Sequence, residues 1–223
     1  MTGFVNRLSR GERSCLMALR HRGALAAVLR ASVLASVVMV FGACRSNTGA
    51  YEAFNQADCL PAITLIDQNG RDVTLSSLKG KPVVVDFIYT RCPGPCLLLT
   101  QKMARIATRL SSRIGSGFTM VSITVDPEHD APDQMANYIK AQAIETKGWF
   151  FLTGPPARID RVLTDFQLRR QRDPDGSVEH ISGVFILGPD GREVREYDGE
   201  IVKASTVISD LQQVLASPQS KTS

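Results

Sequence analysis

The chain has 223 residues, 43% of them apolar and 22% charged, with a formal net charge of +4. Apolar residues run along most of its length, which excludes a disordered polar tail, a collagen and a coiled coil and fits one domain of about 150–180 residues plus an appendage. The positive charge is local: residues 1–43 carry six Arg and one acid, leaving 20 basic against 21 acidic residues in the rest, so the clustered cations of a nucleic-acid surface are missing.

The N-terminus reads as an export signal. Residues 1–30 are Arg-rich and acid-poor, and Ala31 to Ala43 is a run of apolar or small residues ending in F-G-A before Cys44. Thirteen such residues suit the apolar core of a signal peptide. The F-G-A-C end resembles a bacterial lipoprotein cleavage site, although Phe41 stands where that pattern prefers an aliphatic residue. Counting back to Gly23 gives 21 residues interrupted by Arg30 alone, long enough for an uncleaved anchor with Arg on the cytoplasmic side. A signal that is cleaved to release the domain is the third option, and Met17 is an alternative start. The expected organisation is a signal or anchor over 1–44, a polar linker over 45–58, one domain over 59–217 and a short tail over 218–223. The domain is expected on the extracytoplasmic side of the cell envelope, held at the membrane.

Along the domain, Ile63 to Asp67 alternates as a short strand, Gln68-Asn69-Gly70-Arg71 is a turn, and Val73 to Leu75 returns as its hairpin partner. Ser76 to Leu78 is a turn, and Val83 to Tyr89 is a nearly continuous apolar run, the pattern of a strand buried on both faces. A proline-containing loop leads into a helix whose apolar face is Leu99, Met103, Ile106 and Leu110. Phe118 to Val125 is a second buried strand, Pro132 to Ala141 a helix with proline in its first turn, and Trp149 to Leu152 a third strand. Ile159, Val162, Leu163 and Phe166 mark another helix. A loop then precedes the strand Gly183 to Leu187, the turn Gly188-Pro189-Asp190-Gly191, the strand Val194 to Tyr197 and a closing helix over Val207, Leu211 and Val214. Strands alternating with helices, then a terminal hairpin and helix, predict an α/β domain in the thioredoxin-like order, with a mixed central sheet and helices on both faces.

Five cysteines are present, of which Cys15 and Cys44 lie in the targeting segment. Cys92 and Cys96 bracket P-G-P between the central strand and its helix. Pro95 suits a first helical turn, so Cys96 is expected at the helix N-terminus, where unpaired N–H groups and the helix dipole favour a thiolate. In an oxidising compartment such a pair cycles between dithiol and disulfide. A purely structural bridge over so small a loop constrains the unfolded chain little. Two His follow residue 43. His180, in the loop before the Gly183 strand, faces the cysteine loop in such a fold; two thiolates and an imidazole suit a thiophilic metal, with Cu(I) satisfied by the sulfurs and His completing a Cu(II) site. A hydrogen-bonded loop histidine is the plainer alternative. Zinc lacks an evident fourth ligand. His129 is expected as a solvated loop residue and Cys59 as a small buried hydrophobe, with a disulfide or an auxiliary thiol as the alternative for Cys59. Asp86 is a carboxylate within a buried strand, hence either a proton carrier with a raised pKa or a half-exposed or hydrogen-bonded structural residue.

Four segments then carry a resemblance: F-I-Y-T-R-C-P-G-P-C, S-I-T-V-D-P-E-H-D-A-P, F-L-T-G and E-H-I-S-G-V-F-I-L-G-P-D-G, in that order. Together they resemble the Sco/SenC family over roughly 59–215. The resemblance implies a membrane-tethered thioredoxin-like domain that binds copper through Cys92, Cys96 and His180. Its implied role is to help build the copper centre of cytochrome c oxidase, by delivering copper or by reducing the target cysteines first. The implied partners are the copper-bearing oxidase subunit or its cysteine pair, other copper chaperones and thiol reductants, with no nucleic acid. Gly94, Leu97 and Glu179 stand where the family often has Asp, Pro and Asp; none of these removes a ligand. V-D-F-x-x-x-x-C and G-P-C also resemble thioredoxins, whose strand Asp is in register with Asp86. A thiol–disulfide oxidoreductase without stable copper is therefore the alternative. A peroxide-reducing relative is a weaker third, hinted at by Thr90 and Arg91.

Overall fold

The computed structural model describes residues 59–217 apart from 93 and 181, and at position 180 it describes the backbone alone. The expected anchor, linker and tail, with Cys15 and Cys44, lie outside the described residues. In chain order the elements are β1 (Thr64–Asp67), β2 (Asp72–Thr74), β3 (Val83–Ile88), α1 (Pro95–Arg109), β4 (Thr119–Thr124), α2 (Pro132–Ala141), β5 (Trp149–Thr153), α3 (Pro156–Asp165), β6 (Arg170–Arg172), β7 (Val178–His180), β8 (Gly183–Leu187), β9 (Glu193–Asp198) and α4 (Ala204–Ala216).

The apolar runs become the middle of a seven-stranded sheet in the order β2-β1-β5-β4-β3-β8-β9. Every residue of β3, β4 and β8 is buried, as expected for strands covered on both faces. β3 pairs parallel with β4 and antiparallel with β8, and the sheet is mixed. The fold is thioredoxin-like, with β3 between β4 and β8 and α1 following its C-terminal end.

Helices cover both faces. α1 buries Leu99, Met103 and Ile106 at one-turn spacing, and Leu110 follows just past its end. α1 reaches α2 through a 2.7 Å hydrogen bond between the Thr100 and Tyr138 hydroxyls. On the opposite face Phe166, at the end of α3, meets Phe87 and Phe185 edge-on at centroid distances of 5.1 and 4.9 Å. Residues 86 and 87 thus point to opposite sides of β3, as strand alternation requires.

The segment expected as a loop before β8 is a second, separate sheet. β6 and β7 form a two-stranded hairpin, with Arg170 opposite His180 and Arg172 opposite Val178. The turn D-P-D-G-S closes it. Gly176 adopts φ +84°, and Asp175 accepts the Ser177 N–H at 2.9 Å. Each strand has three residues and, among the described residues, pairs only with the other, so neighbouring loops must hold the hairpin in place.

Candidate functional site

The site is assembled where β3 ends and α1 begins. Gly94, the residue before α1, carries no side chain that could cap the helix. The Cys92 sulfur does so instead, accepting the Cys96 N–H at 3.4 Å. Both cysteines are thiols, Cys92 half-buried and Cys96 buried. Cys92 therefore presents the accessible sulfur and Cys96 lies beneath it.

The expectation that Cys96 is a stabilised thiolate is overturned. Burial pushes its pKa well above the ordinary thiol value, and the hydrogen bond with Cys92 adds to the shift. Only 1% of Cys96 is exposed, so desolvation outweighs the helix N-terminus. The sulfur that receives a helix N–H is Cys92.

Asp86 lies deeper on the same face, with no exposed surface. The register sets Ser122 directly opposite it, and the Ser122 hydroxyl donates to Asp86 Oδ1 at 2.5 Å. Trp149 Nε1 in turn donates to Ser122 Oγ at 3.0 Å. Among the described residues Asp86 Oδ2 has no hydrogen-bond partner. Burial raises this carboxyl to about 7, against a partial opposing pull from Ser122. Its negative charge is one of the influences that keep Cys96 protonated.

Tyr89 joins the sulfurs to the hairpin. It is buried beside Cys92 and the Val178 backbone, and burial leads the causes that raise it to about 12. Val178 is two residues before His180 on β7, about 7 Å along an extended strand. The strand that carries His180 therefore lies beside the Cys92 loop. Among the described residues no group of three His, Cys, Asp or Glu is placed to hold a metal.

The remaining expected residues fall as follows. Cys59 is buried; its N–H donates to the Gly191 carbonyl at 3.1 Å and its thiol to the Asp165 carbonyl at 3.8 Å. His129 is partly exposed, as expected, and also pairs with Asp126 at 2.9 Å. Thr90 and Arg91, the hint of peroxide chemistry, are engaged by carboxylates. Thr90 Oγ1 donates to Asp130 Oδ1 at 2.5 Å, and Arg91 donates to Asp126 Oδ2 at 2.8 Å.

Asp126 and Asp130 are the residues that site reasoning missed. Neither has exposed surface. Burial works to raise Asp126, but hydrogen bonds from Arg172, His129 and Arg91 outweigh it and hold the carboxyl below its usual range. For Asp130 burial prevails over the Thr124 and Thr90 hydroxyls and raises it. Both belong to the quoted V-D-P-E-H-D segment, which was a sufficient signal of importance without indicating a role.

A profile described as SCO1/SenC matches residues 52–216. The chain belongs to the SCO1/SenC family. Among solved structures it is similar to a SCO1/SenC family lipoprotein from Bacillus anthracis, at 26% identity and a TM-score of 0.65, covering 72% of this chain and 95% of that one. It is also similar to BsSco, described as a member of the Sco family of cytochrome c oxidase assembly proteins with a disulfide switch. That match has 30% identity and a TM-score of 0.62, over 72% and 94% of the two chains. A third is Bradyrhizobium japonicum ScoI with copper bound, at 30% identity and a TM-score of 0.56, over 68% and 96%.

Proposed function

We propose that this SCO1/SenC chain is a membrane-tethered, extracytoplasmic copper chaperone serving assembly of the copper centre of cytochrome c oxidase. Cys92, Cys96 and His180 are its copper ligands. The observation that carries the reading is the juxtaposition of the dithiol with β7: Arg91, next to Cys92, and Arg172, on the strand paired with β7, bind the same carboxylate, Asp126. Two thiolates satisfy Cu(I), and the imidazole completes a site for Cu(II). Copper is cargo here, taken up at the half-exposed Cys92 and passed to the cysteine pair of the oxidase subunit. A copper-bound relative supports the metal assignment. The Arg-rich, apolar N-terminus ending at Cys44 supports the tether, and a lipoprotein relative points the same way. No helix among the described residues is long and apolar enough to cross a membrane, so the tether is assigned to residues 1–44, ahead of a linker over 45–58.

A second reading, reduction of target cysteines, is favoured by Asp86. The Cys92 thiolate attacks a target disulfide, forming a mixed disulfide and releasing one target thiolate. The Cys96 thiol must then lose its proton to attack Cys92, forming the Cys92–Cys96 disulfide and releasing the second target thiolate. Two electrons pass to the target. A buried carboxyl near neutrality is suited to carry that proton. Both readings use the same sulfurs, and His180 separates them. His180→Ala is expected to weaken Cu(II) binding at least about 100-fold, as loss of one of three ligands should, while the dithiol still reduces a disulfide. Isothermal titration with Cu(II), beside a dithiol-oxidation assay, checks this; unchanged Cu(II) affinity sinks the three-ligand site.

A further inference from the structure

The hairpin that carries His180 is too small to hold its own position, and the polar groups around it supply what the main sheet does not. Arg170 is the cross-strand partner of His180. Its guanidinium binds Glu128 through two hydrogen bonds of 2.7 and 2.9 Å, Asp160 on α3 at 2.7 Å and the Val125 carbonyl at 3.2 Å. Its side chain is 13% exposed, so these bonds are partly shielded from water. Arg172, two residues further along β6, binds Asp126 and also reaches Glu128 at 3.0 Å. Asp126 in turn binds Arg91, the residue before Cys92, at 2.8 Å. One short segment, Asp126 to Glu128, therefore grips the Cys92 loop on one side and the His180 hairpin on the other.

We infer that Arg170 and Arg172, through Glu128 and Asp126, are positioning residues that set where His180 stands relative to Cys92. The inference rests on the copper reading for its consequence and on geometry alone for the latch. None of these side chains has to touch the metal. Planar, bidentate Arg–carboxylate contacts fix orientation as well as distance, which a pair of three-residue strands cannot do alone. The latch matters for a copper state that uses the imidazole and not for one satisfied by two sulfurs, so it sets the preference between Cu(II) and Cu(I).

The test uses the full-length chain in detergent, with Arg170→Gln and, from the more exposed side of the same pair, Glu128→Gln. Amide hydrogen exchange is read first, without metal. Exchange over 170–172 and 178–180 is expected to rise about tenfold or more in both variants, with β3, β4 and β8 unchanged. Unaltered exchange in both overturns the latch. Copper is read second, as Cu(II) affinity, as the thiolate-to-Cu(II) charge-transfer band, and as Cu(I) affinity by chelator competition. Cu(II) binding is expected to fall about tenfold and the band to weaken, with Cu(I) affinity within about twofold. A looser hairpin with an unchanged band and Cu(II) affinity overturns the positioning role. So does a parallel loss of Cu(I), Cu(II) and thermal stability, which is what a merely structural defect produces. His180→Ala is the control: should it bind Cu(II) like the parent, the three-ligand reading falls, and the exchange comparison alone sustains or overturns the latch.

Discussion

Folding shifts Asp86 toward its acid form: it has no exposed surface and, among the described residues, one hydroxyl partner and one oxygen left over. Burial raises it from an ordinary 3.8 to about 7. Because the folded value lies above the unfolded one, the folded state binds the extra proton between them. The stability this proton contributes is complete below about pH 4 and is lost as pH rises through 7, by up to about 1.4 kcal/mol for each pH unit in that window. Asp86→Asn is therefore expected to flatten the decline of Tm between pH 5 and 8, leaving the variant the more stable of the two at pH 8; thermal melts across that range check it. The same variant should slow dithiol exchange near neutral pH, and equal rates across the range would confine Asp86 to structure. Ser122→Ala should push the carboxyl higher still, since its hydroxyl is the side-chain group that favours the charged form. The residue scale also explains the error over Cys96. Helix position and sequence spacing argue for a thiolate, but neither counts the desolvation imposed by a core assembled from distant strands.

At the scale of elements, the main sheet was legible because its strands are apolar runs bounded by turn residues. β8 falls on Gly183–Leu187 as expected, and β3, β4, β5 and β9 differ from the expected bounds by one or two residues. α2 spans Pro132–Ala141, as its proline and apolar spacing indicate. The β6–β7 hairpin was not legible. R-Q-R and V-E-H offer three residues each and almost no apolar alternation, and their anchors lie more than 40 residues earlier at Asp126 and Glu128. Local pattern carries no record of such ion pairs. Connections can be as exacting as strands. Gly148, just before β5, has φ +71°, and a Cβ there would stand 2.5 Å from the Gly115 nitrogen and 2.6 Å from its Cα. Both neighbours are backbone and cannot give way. Gly148→Ala is expected to cost about 3 kcal/mol, a fall in Tm of roughly 6–12 °C by calorimetry, with little effect on the distant dithiol. A shift under 2 °C contradicts that account.

For the whole molecule, charge is distributed unevenly along the chain. The N-terminal segment holds the excess cations, while the domain is close to neutral and spends several of its arginines inside one ion-pair cluster beside the sulfurs. A rigid central sheet supports α1 and its two cysteines, and a separate, polar-latched hairpin supports His180. That arrangement suits a site whose sulfurs are fixed and whose third ligand belongs to a more independent element. Family membership and fold are those of SCO1/SenC proteins, and copper binding separates the chaperone reading from that of a dithiol reductase. The most direct measurement is a copper titration of the fully reduced full-length chain, with electronic and EPR spectra recorded for the Cu(II) form and chelator competition for Cu(I). The account expects one tightly bound copper per chain, with thiolate-to-Cu(II) charge-transfer bands that disappear in His180→Ala. An absence of tight copper, with Cys92 and Cys96 still cycling against a glutathione couple, contradicts it and makes the protein a thiol–disulfide reductase.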